Sequence, residues 1–143
     1  MLTLRAFAAC AVLMLIACDN SSTAPDPPIG RWTPASVRNC SQAAEIIEIT
    51  SDAVLMSKGP ARVRMFDILG LRSIDGPGLE MRLRTTTDRD IGRAAGAPRA
   101  IRFKVVSRDH ITATHFASDG ANFHPLAADD FVAVNYDLVR CRA

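Results

Sequence analysis

Between residues 30 and 143, apolar positions recur with period two far more often than with the helical period of 3.6. Short runs rich in β-branched residues are separated by turn-forming ones. Leu79, Met81 and Leu83 alternate with Glu80, Arg82 and Arg84, and Ile101, Phe103 and Val105 alternate with Arg102 and Lys104. Successive side chains of a strand point to opposite faces, so each of these runs has one dry and one wet side. The pattern predicts strands at 31–37, 45–50, 53–57, 61–68, 79–85, 100–107, 110–116 and 131–140. Ser51-Asp52, Lys58-Gly59-Pro60, Asp75-Gly76-Pro77-Gly78, Arg108-Asp109 and Ser118-Asp119-Gly120 supply the reversals. The expected fold class is all-β: about eight short antiparallel strands in a small barrel or a strongly curved sheet, which limits exposed edges. Helix should be scarce, confined to a turn over 41–45 and a short helix over 88–96.

The start of the chain has a different pattern. Arg5 is followed by twelve apolar residues, Ala6 to Ala17, and then by the polar Asp19-Asn20-Ser21-Ser22. Such a run is shorter than the roughly 20 residues that span a bilayer, and it reads as a secretory signal over 1–17. Residues 19–28, with Pro25, Pro27 and Pro28, are too polar and proline-rich to pack, so 18–29 forms a tether ahead of a single domain at 30–143.

Leu15-Ile16-Ala17-Cys18 resembles the lipobox of bacterial lipoproteins. The resemblance implies cleavage before Cys18 and acylation of Cys18 by diacylglycerol and palmitate-type chains. Two or three chains hold firmly where one is marginal. It also implies an envelope protein facing the periplasm. Asp19 resembles the inner-membrane retention signal of enteric lipoproteins, which favours the inner membrane over the outer.

Cys10 leaves with the signal and Cys18 carries lipid, so Cys40 and Cys141 remain in an oxidising compartment and are expected to form one disulfide. The loop it closes, about 100 residues, corresponds to about 4.7 kcal/mol by chain entropy. Neither cysteine lies in a Cys-x-x-Cys motif or beside a histidine.

Trp32, the sole tryptophan, sits in Gly30-Arg31-Trp32 at the entry to the first strand, and Arg140 lies near the end of the last. This pairing resembles the lipocalin and calycin barrels, in which Gly-x-Trp opens the first strand and a late arginine packs across the indole. The resemblance implies a barrel end sealed by Trp32 and Arg140, a contact that contributes about 0.5–2 kcal/mol. The chain departs from that family in being short for a deep cup, so an open ligand cavity does not follow from the resemblance.

Composition and charge narrow the function. A chain of 143 residues, 48% hydrophobic and 22% charged, suits one folded domain, and a net charge of +2 is well short of a dedicated nucleic-acid binder. Charge is uneven along the chain: residues 18–57 carry −3, residues 58–108 carry +7 and residues 109–143 carry −3. Arg62, Arg64, Arg82, Arg84, Arg102 and Lys104 occupy alternating positions of three expected strands, and hairpin pairing should gather them into a basic stripe on one wet face. Arginine's planar fork suits phosphate and carboxylate, so an anionic lipid, a cell-wall polymer or an acidic envelope protein is the expected partner. Some of this charge is expected to pair with Asp67, Glu80 and Asp88. The stripe has no interleaved aromatic platform for stacking bases, which argues against nucleic acid.

Catalytic signals are weak. The chain has no Gly-x-Ser-x-Gly, no His-Glu-x-x-His, no phosphate-cradling glycine loop and no dinucleotide fingerprint, so no cofactor is implied. His110 and His115 differ by an odd number and should face opposite sides of a strand unless a bulge intervenes, which argues against a shared metal. Glu45 and Glu48 could bracket a sugar, but exposure at a strand start accounts for them. The leading expectation is a lipid-anchored periplasmic binding module, for an amphipathic small ligand in its core or an anionic partner along the stripe, and not an enzyme. The alternatives are an inhibitor of a cell-wall hydrolase, resembling membrane-bound lysozyme inhibitors in size, anchor and disulfide, and a hydrolase built on His124 with Asp129 or Asp130.

Overall fold

The computed structural model describes residues 25–37, 39–86 and 96–142. In chain order the elements are β1 (Gly30–Pro34), β2 (Glu45–Ile49), β3 (Ala53–Lys58), β4 (Ala61–Ile74), β5 (Gly78–Thr85), β6 (Pro98–Ser107), β7 (His110–Ala117), β8 (His124–Pro125), α1 (Phe131–Asn135) and β9 (Asp137–Arg140). Neighbouring strands pair antiparallel from β1 through β7. β9 then pairs with both β7 and β1, closing the sheet into an eight-stranded barrel consistent with a lipocalin-like one. The two-residue β8 lies against the second half of β7.

The alternation seen in the sequence sets the inside of this barrel. Trp32, Ile47, Leu79, Met81, Leu83, Ile101, Phe103, Ile111 and Leu138 are buried together and fill its centre. Burial of apolar area at roughly 25 cal/mol per Å² makes this core the main source of stability.

Three expectations are corrected. The strand expected at 131–140 is divided: Phe131–Asn135 is helical and only Asp137–Arg140 is strand. In the apolar run Phe131-Val132-Ala133-Val134, Val132 and Tyr136 pack on the core at helical i,i+4 spacing while Phe131 and Val134 are exposed. β9 needs only the residues that reach from Thr112 to His110 on β7. The strand expected at 61–68 continues to Ile74, passing through two register shifts, one opposite Val54/Leu55 and one between Ile68 and Gly70. The first strand ends at Pro34, where the chain turns and the Val37 amide donates to the Pro34 carbonyl at 2.9 Å. The signal expected at 1–17 with Cys10, the expected lipidation site Cys18, the expected ion-pair partner Asp88 and the helix expected over 88–96, all but its final Gly96, lie outside the described residues.

Candidate functional site

Residues facing outward from β4 to β7 are aligned by register. Arg72 pairs with Glu80, Glu80 with Arg102, and Arg102 with His115, forming one row across four strands. Glu80 is fully buried although it points away from the core, because guanidinium groups cover it. Arg72 Nε and Nη2 donate to its two oxygens, each at 3.0 Å, as a bidentate fork. Arg102 Nε donates to Oε2 at 3.0 Å and Arg82 Nε to Oε1 at 3.3 Å. Burial pushes the carboxyl pKa up, but the hydrogen bonds from Arg72, Arg102 and Arg82 outweigh it and hold the group at about 2. Three positive charges against one negative leave a local excess of +2.

The loop between β7 and β8 flanks this cluster. Asp119 accepts hydrogen bonds from the Ala121 and Asn122 amides at 2.9 and 2.8 Å and from Asn122 Nδ2 at 2.6 Å. These bonds, the Asn122 amide's foremost, hold its carboxyl well below the usual range. Gly120 has φ +78, and a Cβ there would meet Pro98 Cβ at 2.8 Å, so the tight approach of loop to strand needs glycine. The loop delivers Phe123 onto Arg102, whose guanidinium carbon lies 3.8 Å from the ring centroid. An aromatic side chain therefore does flank the basic face, contrary to the expectation from the sequence, although its ring carries a guanidinium rather than an open stacking surface.

The six residues expected to form one stripe are outward-facing but fall into separate groups. Arg64 and Arg84 both bond Asp67, through Arg64 Nε at 2.9 Å and Arg84 Nη2 at 2.8 Å, and Arg64 also reaches Asp52 at 3.2 Å. Two cations against two carboxylates leave that group neutral. Arg62 pairs with Glu48 at 2.8 Å. Arg82 and Arg102 belong to the Glu80 cluster, and Lys104 stands one row further along β6, opposite Gly78 and Thr112. Arg72 was missed because the strand expected at 61–68 continues to Ile74; the two register shifts in β4 cancel, so Arg72 emerges on the same face as Arg62 and Arg64.

Residues 25–29, expected to be part of a tether too proline-rich to pack, lie against one end of the barrel with Pro28 buried, and that end carries the contact the Gly-x-Trp resemblance implies. Trp32 is fully buried, donates from Nε1 to the Pro28 carbonyl at 2.8 Å and carries the Arg140 guanidinium 4.3 Å from its ring centroid. Arg140 Nη1 donates to the Ile29 carbonyl at 2.6 Å, and Nε lies 3.4 Å from an Asp109 oxygen. Gly30 has φ +141, and a Cβ there would collide with the Arg140 guanidinium. Cys40 and Cys141 are joined in a disulfide, with Cα atoms 5.6 Å apart, which holds the β1–β2 loop against the end of β9.

The histidines are dispersed. Thr114 is the extra residue of a register shift opposite Arg102/Phe103, so His110 and His115 emerge on the same outer face rather than opposite ones. They still do not meet: His110 Nε2 lies 2.7 Å from Asp137 Oδ1, which also accepts from Thr112 at 2.8 Å, whereas His115 Nδ1 lies 3.1 Å from Thr114 Oγ1. Among the described residues no group of three His, Cys, Asp or Glu side chains could hold a metal ion. His124 and Asp130 line one cavity of about 300 Å³ beside Phe116 and Phe131, but Asp130 Oδ2 is taken by the Ala127 amide at 2.7 Å and no hydrogen bond links it to His124. Glu45 and Glu48 fall on opposite faces of β2, bonded to Lys58 and Arg62, and cannot bracket a sugar.

Comparison with protein-family models, with curated proteins and with solved structures finds no match to this chain.

Proposed function

We propose that the protein is a lipid-anchored periplasmic binding module that holds an anionic partner against its outer arginine face. The observation that carries the reading is Glu80: one buried carboxylate organises Arg72, Arg82 and Arg102 into a preformed cationic patch with an excess of two charges. The neighbouring arginines of the same face are balanced, Arg64 and Arg84 by Asp52 and Asp67 and Arg62 by Glu48. A barrel centre filled by Trp32, Met81 and Phe103 weighs against an amphipathic ligand in the core. The lipobox-like Leu15-Ile16-Ala17-Cys18 and the proline-rich tether support an acyl anchor on Cys18 that carries the barrel close to the membrane.

The test is co-sedimentation of the barrel, prepared without its anchor, with vesicles of phosphatidylglycerol or of phosphatidylcholine at low salt. Binding to the anionic vesicles alone, abolished by Arg82→Gln with Arg102→Gln and unaffected by Arg62→Gln, is the expected result. Equal binding to both vesicles, or binding indifferent to the double substitution, would refute it.

A second reading, inhibition of a cationic cell-wall hydrolase, is favoured by one feature. Phe131, 79% exposed, follows directly on Asp129 and Asp130, placing an apolar knob beside negative charge. A lysis-protection assay in which Phe131→Ala removes protection would support it, and absence of protection by the parent protein would dismiss it.

A further inference from the structure

The three guanidiniums around Glu80 are not used alike. Arg72 commits its side-on fork, Nε and Nη2, to the two carboxylate oxygens. Arg82 and Arg102 each touch Glu80 through Nε alone, one on each oxygen, and among the described residues their Nη atoms have no acceptor. A guanidinium has five N–H donors in a fixed plane, so each of these two retains its terminal pair for a second anion. Both are oriented in advance, Arg102 by Glu80 and the Phe123 ring, and Arg82 by Glu80. Their side chains are 32% and 56% exposed, so the unused donors are accessible to solvent.

Resting on the anion-binding reading above, we propose that Arg82 and Arg102 form a subsite for a phosphoryl group. A carboxylate offers two oxygens in one plane and a single charge, whereas a phosphoryl monoester offers three oxygens and close to two charges, which matches the local excess of +2. A tetrahedral anion with oxygens in several directions can bond two guanidiniums that approach from different strands. Arg82 lies on β5 and Arg102 on β6, and their Nε atoms bond different oxygens of the one Glu80 carboxylate, which holds both guanidiniums beside it. Glu80 holds the two cations together without neutralising them, which keeps the subsite assembled before its ligand arrives. Phosphoryl groups of this kind occur in lipid headgroups, in envelope polymers and as free phosphate, all of which share the recognised chemistry.

The experiment titrates inorganic phosphate, glycerophosphoglycerol and acetate into the full-length protein in neutral detergent, following the Nε–Hε resonances of Arg82 and Arg102. The subsite requires that at least one phosphoryl probe bind about tenfold more tightly than acetate, and that Arg82→Lys, which keeps the charge but loses the planar fork, erase most of that preference. A preference confined to glycerophosphoglycerol assigns the site to headgroup or polymer diesters, and one confined to inorganic phosphate assigns it to the free ion. If all three probes bind equally, the phosphoryl assignment is wrong while the anionic face stands, and if none shifts either resonance, both are wrong. Melting curves of Arg82→Lys and Arg82→Gln coincident with the parent's show that a lost preference is not lost folding. Retention of the full preference in both folded variants would also overturn the proposal.

Discussion

Trp32 and Arg140 are direct cross-strand partners where β1 meets β9, and the guanidinium lies over the indole, 4.3 Å from its centroid. The same side chain reaches the Ile29 carbonyl and the Asp109 carboxylate, so one residue ties together the segment before β1, the last strand and the β6–β7 turn. Arg140→Ala should cost about 1–3 kcal/mol, from the lost cation–π contact and hydrogen bonds, as measured by urea denaturation. Trp32→Ala should cost more, about 3–5 kcal/mol, because it also empties the core.

Gly30→Ala should destabilise by about 1–3 kcal/mol, since φ +141 is strained for alanine and its Cβ would displace Arg140. Coupling is the sharper measurement. In the Arg140→Ala background the clash is gone and only backbone strain remains, so the two losses should sum to more than the double variant loses.

Reduction of Cys40–Cys141, or Cys40→Ser with Cys141→Ser, should lower stability by about 2–5 kcal/mol because the bridge spans a sequence separation of 101. Denaturation with and without reductant checks this, and coincident curves would show the bridge to be energetically idle.

Glu80 gives a pH dependence of defined sign. Its carboxyl is held at about 2, below its ordinary 4.5, so the folded state binds the proton less readily than the unfolded one. The contribution is fully present above about pH 4.5 and is lost as pH falls from there towards 2. Glu80→Gln should remove this part of the acid limb and leave three guanidiniums without their counter-charge. Because those arginines are partly solvated, the loss at neutral pH should be modest, about 1–3 kcal/mol.

Much of the barrel was legible because one face of each strand is dry. Leu79, Met81, Leu83, Ile101 and Phe103 read as inward from alternation alone, and they are. The bulges were not legible. Met65, Leu69 and Thr114 look like ordinary strand residues, and only pairing with a neighbouring strand reveals the extra position. That is why His110 and His115 emerged on one face, whereas Arg72 was overlooked because the expected strand stopped at residue 68, six residues short of the end of β4. Phe131 to Val134 is a continuous apolar run with no period, and tertiary contacts of Val132 and Tyr136 decide that it is helical. The basic residues of the site were visible individually. Their division into a neutral group at Asp67 and a cationic one at Glu80 depends on sheet curvature and register, which charge counting does not contain.

The most direct test of the account is a map of amide resonance changes on the barrel as phosphatidylglycerol nanodiscs are added. The account predicts changes centred on Arg72, Glu80, Arg82, Arg102 and Phe123, fading as salt is raised. Changes confined to the core around Met81 and Phe103, or to the Phe131 turn, would contradict it.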